Sequence, residues 1–354
     1  MRRRRREAGG EAGRAGASPR PQRTRDALVL LASIGVVLGA MAARRAPPQA
    51  APPPGEAASA SVVEPSPLPN GATPERIPMP DPETDPGCSF ADRGFGAYGA
   101  WRSLPFGKAL VPPAGAIGAG GEYDLLVHFH GAEPVRREVA PLDLGLVIAA
   151  VDAGTRSSEY ARALRPEAWE DLLASVDRAV AEATGIAAVR ARHLAVSSWS
   201  AGSGAVAQIL SRPGAAEAPG GRRLDALILL DSLYGGYAPG RHELLPGQLG
   251  PYVSLAESAA RGSPLFFLTH TAVPTNGYAS TAETASFLLR QVGASAIPVT
   301  PAEGSAAPLV RMYDGGSLFV RGYGGSTRED HCAQLRLLPG ILTEHVLPAF
   351  GRGS

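Results

Sequence analysis

The sequence predicts one doubly wound α/β domain, in which a mostly parallel sheet is covered by helices on both faces. Three observations lead to this prediction. Short apolar runs alternate with helical patterns from Cys88 onward, no repeat of 20–50 residues is visible, and 44% of the 354 residues are hydrophobic. Strand–helix alternation is typical of parallel sheets flanked by helices. A domain of about 250 residues is ordinary for a single core.

A leader with three different compositions precedes this domain. Residues 1–26 are basic, residues 27–43 are uncharged and apolar, and residues 44–87 are rich in proline and alanine. The order matches a secretory signal with small residues at 40–42 as a candidate cleavage point, and seventeen apolar residues also suffice for an uncleaved membrane anchor. Arginines before the apolar run predict an exported domain over 88–351, periplasmic or at the cell surface, in both cases. The proline-rich segment is expected to be an extended, disordered linker.

The charge of the chain is unevenly distributed. Residues 1–45 hold eleven arginines against three carboxylates, a net charge of +8, so the rest of the chain carries −7 of the total of +1. A basic leader in front of an acidic body gives little support to nucleic-acid binding. Two cysteines, Cys88 and Cys332, are too few for a disulfide scaffold and lack the spacing of a zinc site. They are expected to form one disulfide if the domain is exported, and otherwise to be two unrelated thiols.

The expected secondary structure follows from these periodic runs. The strands are predicted at 123–130, 145–151, 193–198, 224–230, 265–269 and 318–322, and the helices at 166–184, 201–211, 253–261, 280–292 and 331–349. Ser280 and Glu283 form a capping box at the start of the fourth helix. Functional groups in such sheets gather where the strands end, so candidates are sought directly after the apolar runs.

The most specific motif lies at the end of the strand predicted at 193–198. The sequence there is Ser198-Trp199-Ser200-Ala201-Gly202, in which small residues flank Ser200 on both sides. Small neighbours are needed where a serine occupies a strained turn between a strand and a helix. The pattern therefore predicts a nucleophilic serine, with a serine-rich helix cap as the alternative interpretation.

A second motif, His128-Phe129-His130-Gly131-Ala132, ends the strand predicted at 123–130. Glycine allows the backbone to turn sharply and to direct an N–H group toward a reacting carbonyl oxygen. Gly131 and Ala132 are therefore candidates for an oxyanion hole.

Together these motifs resemble the α/β-hydrolase family of serine esterases, lipases and peptidases, in which a His-Gly loop follows an early strand and the nucleophile turn comes two strands later. The resemblance covers residues 88 to 350. It implies the chain order nucleophile, acid, histidine. His331 follows the last strand, where the family places its base, although a surface histidine in a helix turn is the alternative. Ser198 replaces the commoner glycine, and the extended glycine run of many lipases is missing.

The acid is harder to place than the base. Many members carry it after the strand that here ends at Thr269, and residues 269–276 contain no carboxylate. Asp231 ends the preceding strand, a position that some members use, and is the predicted acid. Asp152 lies on the wrong side of the nucleophile in the chain. Glu329 and Asp330 adjoin His331 too closely in sequence to reach its far ring nitrogen.

The resemblance implies an acyl-enzyme mechanism without a cofactor or metal. Ser200 attacks an ester or amide of a small molecule or polymer, His331 is the base, Asp231 orients it, and the N–H groups of Gly131, Ala132 and Ala201 stabilise the oxyanion. The substrate pocket is expected to include His130, Trp199 and His270.

Two other functions compete with this interpretation. His128 and His130 share one face of a strand and could begin a metal site, completed by His193, His242, His270 or Asp231, although these residues show no recognisable ligand spacing. In that case His128 is a ligand, and otherwise it is a hydrogen-bonded core residue. A surface-tethered binding domain that kept the fold and lost the chemistry is the other alternative.

Overall fold

A computed structural model describes residues 88–351, except 213–216, 219–221, 241–242 and 302–307. The predicted leader segments 1–26, 27–43 and 44–87 lie outside the described residues. Among those residues, no helix is both long and apolar enough to cross a membrane.

A mixed ten-stranded sheet forms the centre of the domain. Strands β1 to β12 span Arg102–Ser103, Lys108–Leu110, Glu122–Phe129, Val147–Val151, Arg190–Trp199, Glu217–Ala218, Arg222–Arg223, Ala226–Leu230, Leu265–His270, Ile297–Pro298, Leu309–Gly315 and Leu318–Tyr323. The order across the main sheet is β1-β2-β4-β3-β5-β8-β9-β12-β11-β10, and β6 and β7 form a separate pair. The six strands from β4 to β12 in this order are parallel, with antiparallel pairs at both edges.

Helices cover both faces of the sheet. Helices α1 to α9 span Ala132–Val139, Ser157–Ala163, Pro166–Thr184, Ser203–Leu210, Pro246–Ala260, Thr281–Gln291, Arg328–Ala333, Leu338–Ile341 and Leu347–Ala349. The last three are joined by 3₁₀ and π turns into one helical segment from 328 to 349. The capping box of Ser280 and Glu283 is present at the start of α6.

Two hydrophobic clusters, one on each face, hold these layers together. Leu125 points to the face covered by α3, α4, α5 and α6, and Leu126 to the face covered by α1 and the C-terminal helical segment. Successive strand residues point to opposite faces, so a strand buried on both sides needs a continuous apolar run. The six predicted strands are the six parallel strands, which confirms the predicted fold class.

The edges of the sheet differ from the prediction. Strands β1, β2, β10 and β11 and helices α1 and α2 were not predicted. The residues of β11 are half-buried or exposed along its whole length, so neither an apolar run nor a clear alternation marks this strand. Helix α1 is short, carries Glu133, Arg136 and Arg137, and has Pro134 in its first turn, which conceals its apolar residues.

Candidate active site

Ser200 lies in a strained turn directly after β5. Its φ is 49°, in the left-handed region that a residue with a side chain rarely adopts. A 3₁₀ turn, Ser200–Gly202, leads into α4. The turn packs tightly on the neighbouring strand, because a Cβ atom on Gly202 would stand 2.2 Å from the carbonyl oxygen of Phe129. The requirement for small residues around Ser200 is therefore steric.

Ser198 has a specific polar partner in this turn. Its hydroxyl lies 2.6 Å from the hydroxyl of Ser232, and both side chains are fully buried. Ser232 belongs to the segment after β8, so the hydrogen bond ties that segment to the nucleophile turn. A glycine at 198 would leave the Ser232 hydroxyl without this partner.

Asp231 ends β8 and is also held in a left-handed conformation, with φ of 45°. Its carboxylate accepts hydrogen bonds from the Thr271 N–H at 2.9 Å, the Thr271 hydroxyl at 2.7 Å and the Thr281 hydroxyl. Burial alone would raise the pKa of Asp231, but the hydrogen bond and charge of His331 and the threonine hydroxyls outweigh it and lower this pKa. Asp231 is therefore a buried carboxylate that stays ionised at neutral pH.

The imidazole of His331 is hydrogen-bonded to Asp231. The Nδ1 atom of His331 lies 2.7 Å from Oδ2 of Asp231, and the imidazole is 16% exposed. The indole of Trp199 stacks on the imidazole at 5.0 Å between ring centres and donates from Nε1 to the His331 carbonyl at 3.1 Å. Because Trp199 immediately precedes Ser200, this contact holds the histidine beside the nucleophile turn.

The residue next to His331 is held by a disulfide. Cys332 is joined to Cys88, with the two Cα atoms 5.4 Å apart. The neighbouring carboxylate of Asp330 is occupied in capping α7, where it accepts from the N–H and the hydroxyl of Thr327. Among the residues that the structure describes, Asp231 is the carboxylate that contacts the His331 ring.

The amides proposed for the oxyanion hole have another acceptor. Gly131 N–H donates to Asp152 Oδ1 at 2.7 Å, and Ala132 N–H lies 3.2 and 3.4 Å from the two Asp152 oxygens. Neither group is free for a substrate oxygen in this arrangement, which departs from the sequence prediction. Ala201 differs, because it lies in the first turn of the helix that begins at Ser200, where N–H groups have no intrahelical acceptor.

His128 has both ring nitrogens engaged. Nε2 donates to the carbonyl of His130 at 2.7 Å, and Nδ1 accepts from the Ser197 hydroxyl at 2.7 Å. Burial lowers the pKa of His128 to about 4, so the ring is neutral. No nitrogen is left for a metal ion, and no group of three or more His, Cys, Asp or Glu among the described residues could hold one.

Two of the other proposed metal ligands, His193 and Asp231, have partners elsewhere. His193 stacks on Phe350 near the opposite end of β5, while Asp231 is engaged by His331. His242 lies outside the described residues. The alternative of a metal-dependent hydrolase therefore finds no support in this part of the chain.

Two of the three predicted pocket residues, His130 and His270, lie near the candidate catalytic residues in different ways. His130 stacks on Trp199 at 5.2 Å and donates from Nδ1 to the Tyr160 hydroxyl, which itself donates to the Gly154 carbonyl. His270 ends β9, and its imidazole packs against Gly322. Burial lowers the pKa of His130 and of His270.

Several residues of the site were missed from the sequence. Thr271 and Thr281 hold Asp231, Ser232 holds Ser198, and Tyr234 lies beside Ser200. Thr271 and Thr281 lie 40 and 50 residues from Asp231 in the chain, so no local spacing marks them as its partners. Thr271 could have been suspected, because it directly follows β9 and functional groups of parallel sheets gather where strands end.

The chain resembles known proteins in its fold. No family model matches the chain, and no curated protein matches it. Among solved structures, the chain is similar to the enterobactin esterase FES of Shigella flexneri (15% identity, 75% of this chain, 63% of that chain, TM-score 0.41). It is also similar to the acylaminoacyl peptidase of Pyrococcus horikoshii (12% identity, 70% of this chain, 41% of that chain, TM-score 0.37). A third similar structure is a puromycin-hydrolyzing peptidase of Mycobacterium tuberculosis (13% identity, 73% of this chain, 41% of that chain, TM-score 0.37).

These structures are esterases and peptidases, and the chain spans less than two thirds of the length of each. A likeness at this level assigns no substrate to the chain. The parallel strand order and the strand–turn–helix at Ser200 give the domain an α/β-hydrolase fold.

Proposed function

We propose that the chain is a serine hydrolase that cleaves an ester or amide bond through Ser200, His331 and Asp231. The observation that carries this proposal is the buried Asp231–His331 pair, held beside a serine in a strained turn. A serine hydroxyl is a weak nucleophile near neutral pH and needs an adjacent base. The carboxylate fixes His331 with its proton on Nδ1, which leaves Nε2 to accept a proton.

The reaction follows from these positions. His331 Nε2 removes the Ser200 proton while Oγ bonds to the carbonyl carbon, and the carbonyl electron pair moves onto oxygen. Collapse of this intermediate breaks the bond to the leaving group, which takes the proton from His331. Water, deprotonated by His331, then attacks the acyl-enzyme and releases the acid and Ser200.

The proposed reaction takes place outside the cytoplasm, on a small-molecule or polymer substrate. A basic segment, an apolar run and a proline-rich spacer precede the domain, and this order is typical of an exported or membrane-anchored protein. The disulfide between Cys88 and Cys332 supports the same location, because such bonds persist in oxidising compartments.

Turnover of chromogenic esters and aryl amides tests this proposal. Ser200→Ala should lower kcat on the order of a millionfold, while Ser203→Ala, a matched change three residues away on α4, should leave it within a few-fold. Folding of both variants is checked by circular dichroism. Inactivity of the unmodified protein across the panel would favour a non-catalytic binding domain. If Ser200→Ala retains activity that a chelator abolishes, the enzyme is a metal hydrolase.

A further inference from the structure

The nucleophile turn and the segment after β8 form one rigid unit. Ser232 is bonded to Ser198 as described above, the Thr284 hydroxyl donates to the Leu233 carbonyl at 2.5 Å, and the Ala279 N–H donates to the Gly235 carbonyl at 2.8 Å. Tyr234 lies between these anchored residues, so its backbone position is fixed relative to Ser200. A group that stabilises a transition state must be fixed in this way before the reaction begins.

The Tyr234 side chain is directed to the nucleophile. Its hydroxyl interacts with the side chain of Ser200, and its ring makes an edge contact with Tyr278 at 5.5 Å between ring centres. Burial and the nearby charge of Asp231 raise the pKa of the Tyr234 phenol. The hydroxyl therefore keeps its proton at neutral pH and remains a hydrogen-bond donor.

Among the residues that the structure describes, the backbone around Ser200 offers one other evident donor for an oxyanion. The Ala201 N–H lies in the first helical turn after Ser200, whereas the amides of Gly131 and Ala132 are engaged by Asp152. Oxyanion holes usually combine two donors that approach from different directions. A donor on the opposite side of Ser200 from the His-Gly loop would complete the hole without moving Asp152.

We infer that the Tyr234 hydroxyl is this second donor and acts as a catalytic residue by hydrogen bonding to the oxyanion of the tetrahedral intermediates. The inference rests on the proposed function. On attack by Ser200 the carbonyl oxygen gains the electron pair of the C=O bond beside Oγ, within reach of a group that already contacts Ser200. The phenol donates a hydrogen bond and retains its proton, so no net proton transfer to Tyr234 is involved.

Tyr234→Phe tests the inference, with Tyr278→Phe as the matched control. Each change removes one hydroxyl and keeps a ring, so the edge contact between the rings is preserved and the melting temperature should be unchanged. Tyr234→Phe should lower kcat about 10²- to 10³-fold, as loss of one oxyanion donor does elsewhere, with KM within a few-fold. Tyr278→Phe should retain kcat within a few-fold.

A second measurement separates stabilisation of the oxyanion from a structural effect. A trifluoromethyl ketone forms a hemiketal oxyanion with the serine, whereas the matching alcohol binds without forming one. Tyr234→Phe should weaken binding of the ketone by a factor close to the loss in kcat and leave binding of the alcohol unchanged. Equal weakening of both inhibitors, or kcat within threefold of the unmodified enzyme, overturns the inference. Absence of turnover that depends on Ser200 in the unmodified protein would instead refute the proposed function.

Discussion

Two segments at the carboxyl edge of the sheet differ in how clearly a sequence motif marks them. In the structure, the segment without a motif contributes more to the candidate site. The segment after β3, His130–Ala132, carries a recognisable His-Gly motif, yet its amides are engaged by Asp152. The segment after β8, residues 231–235, matches no motif, yet it supplies the proposed acid, the partner of Ser198 and a tyrosine beside Ser200. A motif therefore identifies where a chain turns more securely than which of its atoms face the substrate.

The difference has a physical origin. Backbone amides in the first segment need acceptors, and the carboxylate of Asp152 at the end of the adjacent strand provides one. Side chains from β5, β9 and α6 hold the second segment through hydrogen bonds. Asp231 is thereby directed at His331, and Tyr234 at Ser200. These contacts join parts of the chain far apart in sequence, so no local pattern reports them.

The largest difference between the segments is expected in catalysis. Asp231→Asn should lower kcat about 10⁴-fold, because the amide would favour the wrong tautomer of His331. Asp152→Asn should lower kcat far less, since the amide oxygen can still accept a hydrogen bond from the Gly131 N–H. Steady-state kinetics on one ester, with circular dichroism as the folding control, measures both. The opposite ranking would make Asp152 the acid and require a new triad.

Loss of the disulfide should give the next largest effect, on stability. The bond closes a loop of 244 residues, and the chain-entropy model assigns roughly 4–5 kcal/mol to a loop of this size. The double variant Cys88→Ser/Cys332→Ser should unfold at a lower urea concentration, and its free energy of unfolding should fall by a comparable amount. Activity should fall as well, because Cys332 adjoins His331. Unchanged urea unfolding would contradict the predicted stabilisation, and unchanged activity would mean that the bond does not hold His331.

A smaller difference between the two segments is expected in how stability depends on pH. His128, whose Nε2 fixes the His130 carbonyl, has its pKa lowered from 6.5 to about 4 in the folded state. The unfolded state therefore binds more protons between these values, so His128 removes about 3 kcal/mol of stability as pH falls from 6.5 to 4. The pKa of Asp231 is lowered from 3.8, so its contribution is present above that pH and is lost only below it. The segment after β3 should weaken first.

Urea unfolding as a function of pH measures this difference. His128→Gln should reduce the loss of stability between pH 6.5 and 4, and His193→Gln, a change near the opposite end of β5, serves as the control. An unchanged pH dependence in His128→Gln would show that the histidine is not buried in its neutral form.

The sequence predicted the parts of the molecule that depend on local chemistry. The apolar runs of the six parallel strands are continuous because both faces are buried, and Pro166–Thr184 forms a helix with the predicted bounds. The edge strand Leu309–Gly315 lacks that burial and was missed. In the site, the strained turn at Ser200 follows from its small neighbours. The acceptor role of Asp152 and the support of Asp231 by Thr271 and Thr281 depend on contacts across the sheet.

The most direct test of the central claim is covalent labelling with a fluorophosphonate, followed by mass spectrometry to locate the adduct. We predict a single adduct on Ser200 in the folded protein, with labelling slowed by several powers of ten in His331→Ala, because the hydroxyl then lacks its base. An adduct on Ser197, Ser198 or Ser203 would show that Ser200 is not the nucleophile, and labelling of Ser200 at an unchanged rate in His331→Ala would show that His331 is not its base.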